Sequence, residues 1–268
     1  MGVESVLHPS LIVPVGHVEP VPRRVRGIVD GHVVFDTRRA LYVWEWAGYP
    51  QYCVPRDDLV EASLMDDDRT EHLGAGPARR HSLRVRDAVR EGAAWVWHDG
   101  APEAVRGTVR FRWSALDAWL EEDEPVYVHP RSPYARVDAL RSSSRVRVEI
   151  DGVVLADAPH CVKLFETGLP TRYYLDRAHI NWPLLRRTDH VTQCPYKGTT
   201  SGYWSFDGGT GPHEDILWAY DFPTVQASRI AGLAAFYNEY VDLYVDGTLL
   251  PRPTGTPGVP ARAGGRRG

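Results

Sequence analysis

The sequence predicts an all-β protein made of two tandem domains with a few short helices. Three observations lead there. Val, Thr, Tyr and Trp are plentiful, with 13 Tyr and 9 Trp, and β-branched and aromatic side chains suit the pleated, half-buried surface of a sheet. Asp-Gly pairs stand between alternating runs, the signal of a two-residue hairpin. The order of these features then repeats after about 121 residues, as an internal duplication does.

Residues 1–22 carry Pro9, Pro14, Pro20 and Pro22 and read as an extended N-terminal arm on the surface. A first β-domain follows over 23–128. Val25 to Phe35 turns about Asp30-Gly31, the next strand runs from Ala40 to Trp46, and Tyr49-Pro50 leads into Tyr52-Cys53-Val54. Asp66-Asp67-Asp68 to Gly76 reads as a loop. Ala115 to Glu122 is spaced as one short amphipathic helix. The stretch 129–143, stiffened by Pro130 and Pro133, is expected to cross to the second domain, with Ser142-Ser143-Ser144 at the boundary.

The second domain spans 144–250. Val146 to Leu155 turns about Asp151-Gly152, and Val162 to Thr167 repeats the second strand, with Glu166 falling on Glu45. Tyr173-Tyr174-Leu175 matches Tyr52-Cys53-Val54, and Trp218-Ala219-Tyr220 matches Trp95-Val96-Trp97. A last hairpin turns about Asp246-Gly247. Residues 251–268, rich in Pro, Gly and Arg, have almost nothing to bury and are expected to be disordered.

Composition narrows the function. A net charge of −4, with Arg interleaved among Asp and Glu, argues against a nucleic-acid partner. No apolar run approaches the roughly 20 residues of a membrane-spanning helix, and with no secretory signal pattern a reduced cytoplasm is the expected location. Cys53, Cys161 and Cys194 make neither a disulfide framework nor a Cys-x-x-Cys zinc pattern. His179, His190 and His213 are scattered, so no metal site is expected. Asp207 to Pro212 lacks the ending of a phosphate loop and reads as a hairpin connection, and no Gly-x-Ser-x-Gly elbow is present.

The residues that point to chemistry gather in the second copy. Cys194-Pro195-Tyr196-Lys197-Gly198 places a thiol beside one of the chain's two lysines, Lys163 and Lys197. A neighbouring ammonium favours the thiolate, and Pro195 and Gly198 bracket a turn that fixes directions. Glu166 sits in an otherwise apolar strand, where a carboxylate is costly unless paired. Arg172, six residues on, is its nearest partner in sequence. Together Cys194, Lys197, Glu166 and Arg172 form a candidate nucleophile, anion-holding and acid/base set. Tyr173, Tyr196, Tyr203, Trp204, Trp218 and Tyr220 are candidate pocket walls. A structural cysteine, an ion pair fixing a turn and ordinary core packing account for the same residues without chemistry. In the first copy the corresponding stretch, from Gly76 to Leu83, has no thiol, lysine or Tyr-Trp pair, so that copy reads as a degenerate partner.

Leu164-Phe165-Glu166-Thr167-Gly168-Leu169-Pro170-Thr171-Arg172-Tyr173-Tyr174, Cys194-Pro195-Tyr196-Lys197-Gly198 and Tyr203-Trp204 resemble a bacterial family, domain of unknown function 427, in its tandem actinobacterial form. His129-Pro130-Arg131, Pro133-Tyr134 and Arg136-Val137-Asp138 resemble its connecting segment, though Ser132, Ala135 and Ser144-Arg145 depart from it. The resemblance implies small all-β domains of twisted, tent-like sheet. The label nucleotidyltransferase is attached to some members, but this chain shows no Gly-Ser helix start with paired metal carboxylates.

Two functional readings follow. One is a small-molecule enzyme of hydrolytic or group-transfer type using the Cys-Lys-Glu-Arg set. The other is a non-catalytic small-ligand or protein-interaction module. A small-molecule ligand is the expected partner, any cofactor is left open, and the tandem copies fit a pseudo-dimer.

Overall fold

A computed structural model describes residues 13–209, 211–256 and 258–259. Most of the expected N-terminal arm, Thr210 and most of the C-terminal tail therefore lie outside the described residues. The chain divides into two compact units between Tyr134 and Ala135.

The first unit contains β1 (Val18–Pro20), β2 (Val25–Val29), β3 (His32–Thr37), β4 (Leu41–Val43), β5 (Gln51–Pro55), β6 (Ala62–Leu73), β7 (Gly76–Val85), β8 (Ala88–Trp97), β9 (Thr108–Phe111), β10 (Ala118–Glu121) and β11 (Glu124–Pro125). They build a seven-stranded sheet, β1-β4-β5-β9-β8-β7-β6, and a four-stranded sheet, β11-β10-β2-β3.

The second unit contains β12 (Val137–Ser142), β13 (Val146–Ile150), β14 (Val153–Ala158), β15 (Cys161–Glu166), β16 (Arg172–Leu175), β17 (Leu185–Thr188), β18 (Gln193–Cys194), β19 (Gly198–Thr199), β20 (Gly202–Gly208), β21 (Gly211–Ala219), β22 (Ala234–Phe236), β23 (Asp242–Val245) and β24 (Thr248–Leu249). Its seven-stranded sheet runs β12-β15-β16-β22-β21-β20-β17 and its four-stranded sheet β14-β13-β23-β24. The two units thus share one topology, strand for strand. Only the small β18-β19 hairpin has no counterpart among the described residues.

The Asp-Gly turns form as the residues require. Asp30-Gly31, Asp151-Gly152 and Asp246-Gly247 all have positive φ at both positions, the backbone of the turn that matches strand twist. Alternation then sorts side chains between two cores. In the second unit, Val146, Val148, Ile150, Leu155, Leu175, Leu217 and Phe236 fill the space between its sheets. Val162, Leu164, Tyr174, Tyr203, Trp218 and Tyr220 form another cluster on the opposite face of the large sheet. It is completed by Ala227 and Ile230 of the 3-10 segment Val225–Ile230.

Two expected elements differ. The helix over 115–122 is instead a 3-10 turn at Trp113–Ala115 followed by strand β10. Trp119 and Glu121 are buried while Ala118 and Leu120 are half-buried, a period of two that register with β2 enforces. Trp119 pairs with Gly27, where a Cβ would fall 2.4 Å from the Phe35 ring. The loop expected at Asp66-Asp67-Asp68 lies inside β6, bulged between Asp66 and Arg69. Cross-strand partners remove the cost of three adjacent acids: Arg79 donates to Asp66 at 2.9 Å and Ser82 to Asp67 at 2.7 Å.

The stretch 129–143 splits between the units. His129 stacks on Tyr49 at 3.5 Å, and Arg131 lies 3.5 Å from buried Glu121. That carboxylate also accepts from the Tyr52 and Tyr42 hydroxyls. Val137–Ser142, by contrast, is an edge strand paired with β15 along its whole length.

Candidate functional site

The Cys194 pentapeptide occupies the hairpin that, among the described residues, only the second unit has. It interrupts the connection between the two outermost strands of the large sheet, which in the first unit is simply Gly74-Ala75. Cys194 pairs with Gly198, leaving Pro195-Tyr196-Lys197 as the tip, and Gly198 has φ +92°. Thr224 ties the tip down: its amide donates to the Lys197 carbonyl at 3.1 Å and its hydroxyl to the Tyr196 carbonyl. At the base, the Thr192 and Tyr203 hydroxyls lie 2.7 Å apart.

This anchoring aims Lys197 at the large sheet. Glu166, the last residue of β15, shares the face of Leu164 and Val162 by the two-residue period. Lys197 Nζ donates to both Glu166 oxygens at 2.7 Å, with the side chains 12% and 6% exposed. Burial works against the ammonium, but Glu166, Cys194 and Tyr174 more than offset it, so the Lys197 pKa is raised. Lys197 is therefore a held positive charge rather than a base. Cys194 is a free, half-buried thiol within that field. Tyr174 accepts a hydrogen bond from Trp218 Nε1 at 3.1 Å, and burial pushes its pKa up.

Arg172 is on the same face but belongs to another pair. It stands opposite Leu164, and its guanidinium donates to both Glu239 oxygens at 2.6 and 2.8 Å. It lies 5.6 Å from the Trp218 ring and 5.5 Å from that of Tyr237. Both partners are 7% exposed. Although burial raises the Glu239 pKa, hydrogen bonding and charge from Arg172 bring it below the usual range. The expected Glu166–Arg172 pair is replaced by Glu166–Lys197 and Glu239–Arg172.

Three of the four expected polar residues, Cys194, Lys197 and Glu166, therefore come together. Of the expected walls, Tyr203, Trp218 and Tyr220 lie in the cluster on this face, and Tyr196 is on the hairpin tip. Tyr173 and Trp204 pack instead against the core between the sheets. Tyr173 lies beneath Lys163, and Trp204 meets Trp182 edge-on at 5.1 Å. Adjacent residues on a strand cannot share a face, so Tyr173-Tyr174 and Tyr203-Trp204 each send one ring to this cluster. Sequence reading missed Glu239, Tyr174 and Tyr237. The acid within Tyr237-Asn238-Glu239-Tyr240 was the available signal, since a carboxylate among rings needs a buried cation.

The electrostatics limit what the site can take. Each buried cation is matched by one carboxylate, so the cluster is neutral as a whole and suits a ligand without net charge, while the Lys197 ammonium keeps one N–H beyond its two bonds to Glu166. Among the described residues no group of three or more His, Cys, Asp or Glu is arranged to hold a metal, and no helix is long and apolar enough to cross a membrane.

A family model described as a domain of unknown function (DUF427) matches the chain twice, over residues 17–122 and 138–247. No curated protein matches it.

Proposed function

From the premise that the chain belongs to the DUF427 family, in tandem form, we propose that its second domain is a group-transfer enzyme acting on uncharged small molecules through Cys194. The observation that carries this reading is the buried Lys197 ammonium, held by both Glu166 oxygens with the Cys194 thiol among its electrostatic partners. The third N–H of that ammonium is not engaged by Glu166 and can donate to an oxyanion formed beside the thiol. In this reading Cys194 attacks an acyl carbon, forming an S–C bond. The thiol proton goes to water as the sulfur attacks and the C=O pair moves to oxygen, where Lys197 stabilises it. The bond to the leaving group breaks as that pair returns, the leaving group takes a proton from water, and water then attacks the thioester, releasing the acid and the Cys194 sulfur. Glu166 positions Lys197. Arg172 and Glu239 brace the Trp218 wall and are positioning residues.

The surroundings support an apolar substrate portion. Phe222 is 92% exposed and Val225 84% exposed, on either side of the Thr224 that is bonded to the hairpin tip. A solvent-facing phenylalanine beside a ring-lined cluster suits an apolar group better than open water does.

A second reading, ligand binding without turnover, is favoured by the internal neutralisation of both cations. Iodoacetamide separates the two. Under the enzyme reading, iodoacetamide alkylates native Cys194 at pH 7. Lys197→Met then slows that alkylation. Silence at Cys194, or a rate that Lys197→Met leaves unchanged, leaves only the binding module.

A further inference from the structure

The outer face of the second domain's four-stranded sheet carries a cavity of about 600 Å³, lined by Arg145, Arg147, Glu149, Tyr244, Asp246 and Gly247. The two-residue period of β13 puts them there. Val146, Val148 and Ile150 point into the core, so Arg145, Arg147 and Glu149 stand in a row on the other side. Register with β23 sets Tyr244 opposite Arg147. The following turn brings in Asp246, whose carboxylate accepts from the Arg145 amide at 2.8 Å. The volume is that of a small-ligand pocket, and the lining shares no residue with the Cys194 cluster.

The first domain shows which of these groups only hold the hairpins together. Arg24, Arg26 and Glu122 stand where the second domain has Arg145, Arg147 and Asp246. Arg24 donates to Asp36 as Arg145 does to Asp157, and its amide to Glu122 as that of Arg145 does to Asp246. That frame is common to both copies. Three positions differ: Ile28 stands for Glu149, Leu120 for Tyr244 and Asp123 for Gly247. In the first domain Asp123 accepts from Arg26 Nη2 at 2.7 Å. Gly247 instead leaves open space for at least 4 Å around the point where a Cβ would stand, and Arg147 turns to Glu149. A ring, a carboxylate and room for a ligand thus meet at one spot in the second domain alone.

The lining offers hydrogen bonds of both senses. Arg145 gives Nε and Nη2 to Asp157 at 2.8 and 2.6 Å, leaving its Nη1 group to donate elsewhere. Arg147 puts both Nε and Nη2 on Oε1 of Glu149, leaving Oε2 to accept and the Arg147 Nη1 group to donate. Each guanidinium is matched by a carboxylate, and Asp246 adds a further negative charge, so an anion is disfavoured. An apolar ligand would leave these groups unpaired. A hydroxyl donates and accepts at once, and adjacent hydroxyls on a ring match a carboxylate oxygen beside a guanidinium. The half-buried ring of Tyr244 offers an apolar surface for the C–H side of such a ligand.

We propose that this cavity binds a hexopyranose sugar, with neighbouring hydroxyls held by Arg145, Arg147 and Glu149 and one C–H face laid on Tyr244. The site stands apart from the Cys194 reading, because it uses none of the same residues.

The test uses the full chain with three probes, the methyl glycosides of glucose, mannose and galactose, followed by saturation-transfer NMR. The expected result is binding of at least one glycoside in the millimolar range, with transfer strongest at ring C–H protons. Tyr244→Leu, which installs the residue type of Leu120, and Glu149→Gln should each weaken that binding roughly tenfold or more. Both changes lie on the solvent side of the sheet, and an unaltered far-UV spectrum checks that the variants are folded. Cys194→Ser should leave glycoside binding unchanged, so the two readings fail separately. No transfer to any of the three at about 20 mM, binding that survives in either folded variant, or displacement of the glycoside by equimolar inorganic phosphate would overturn the proposal.

Discussion

At the scale of single residues, the second domain is governed by who neutralises whom. Arg172 and Glu239 are equally buried and share two hydrogen bonds. Removing either leaves the other as an uncompensated charge, which costs about 3–5 kcal/mol. Urea unfolding of Glu239→Gln and Arg172→Met should each show a loss of that size, and a near-neutral Glu239→Gln would contradict the pairing. Lys197 tests the companion pair through pH. Its folded pKa lies above the unfolded value, so its contribution is complete below about pH 10.4 and lost as pH rises through the folded value. The stability difference between wild type and Lys197→Met should therefore be flat from pH 6 to 9 and shrink above about 10.4.

At the scale of elements, turns set the register that decides which side chains can meet. Gly152 has φ +79° and open space for at least 4 Å around the point where a Cβ would stand, so its substitution tests backbone conformation without a clash. Gly152→Ala should cost about 1–2 kcal/mol, read as a drop in the urea midpoint with the slope unchanged. A neutral result would mean that the β13-β14 turn does not need its left-handed pair. The β18-β19 hairpin makes a different point. It sits where the first domain has only Gly74-Ala75, so it is an addition to a complete sheet, and its Thr224 tether rather than strand pairing aims Lys197. Thr224→Val should loosen the tip and draw Lys197 away from Cys194, read as slower alkylation than in wild type with the core spectrum unchanged.

At the scale of the whole molecule, the two domains share a topology but respond differently to acid. The pKa of Glu45 is raised, so protonation relieves a burial cost and the first domain gains stability as pH falls from 7 toward the unfolded value of about 4.3. Glu239 is lowered, so its contribution holds above about pH 4.3 and is lost only below it. Hydrogen exchange should therefore show β4 and β5 better protected at pH 5 than at pH 7, with Glu45→Gln abolishing that gain. The order of amino acids was enough to specify the all-β class, the duplication, the Asp-Gly turns and the closeness of Cys194 to Lys197, because these follow from local preference, periodicity and short separation. It also pointed to Glu166 as a costly buried acid. Long-range packing settled that Lys197 rather than Arg172 answers that acid, that Glu239 takes the arginine, and that Tyr173 and Trp204 turn away from the cluster. It likewise made residues 118–121 a strand and gave the first domain its own Glu45–Arg110 ion pair. Those outcomes depend on register across strands far apart in sequence, where a shift of one residue reverses the face of every side chain.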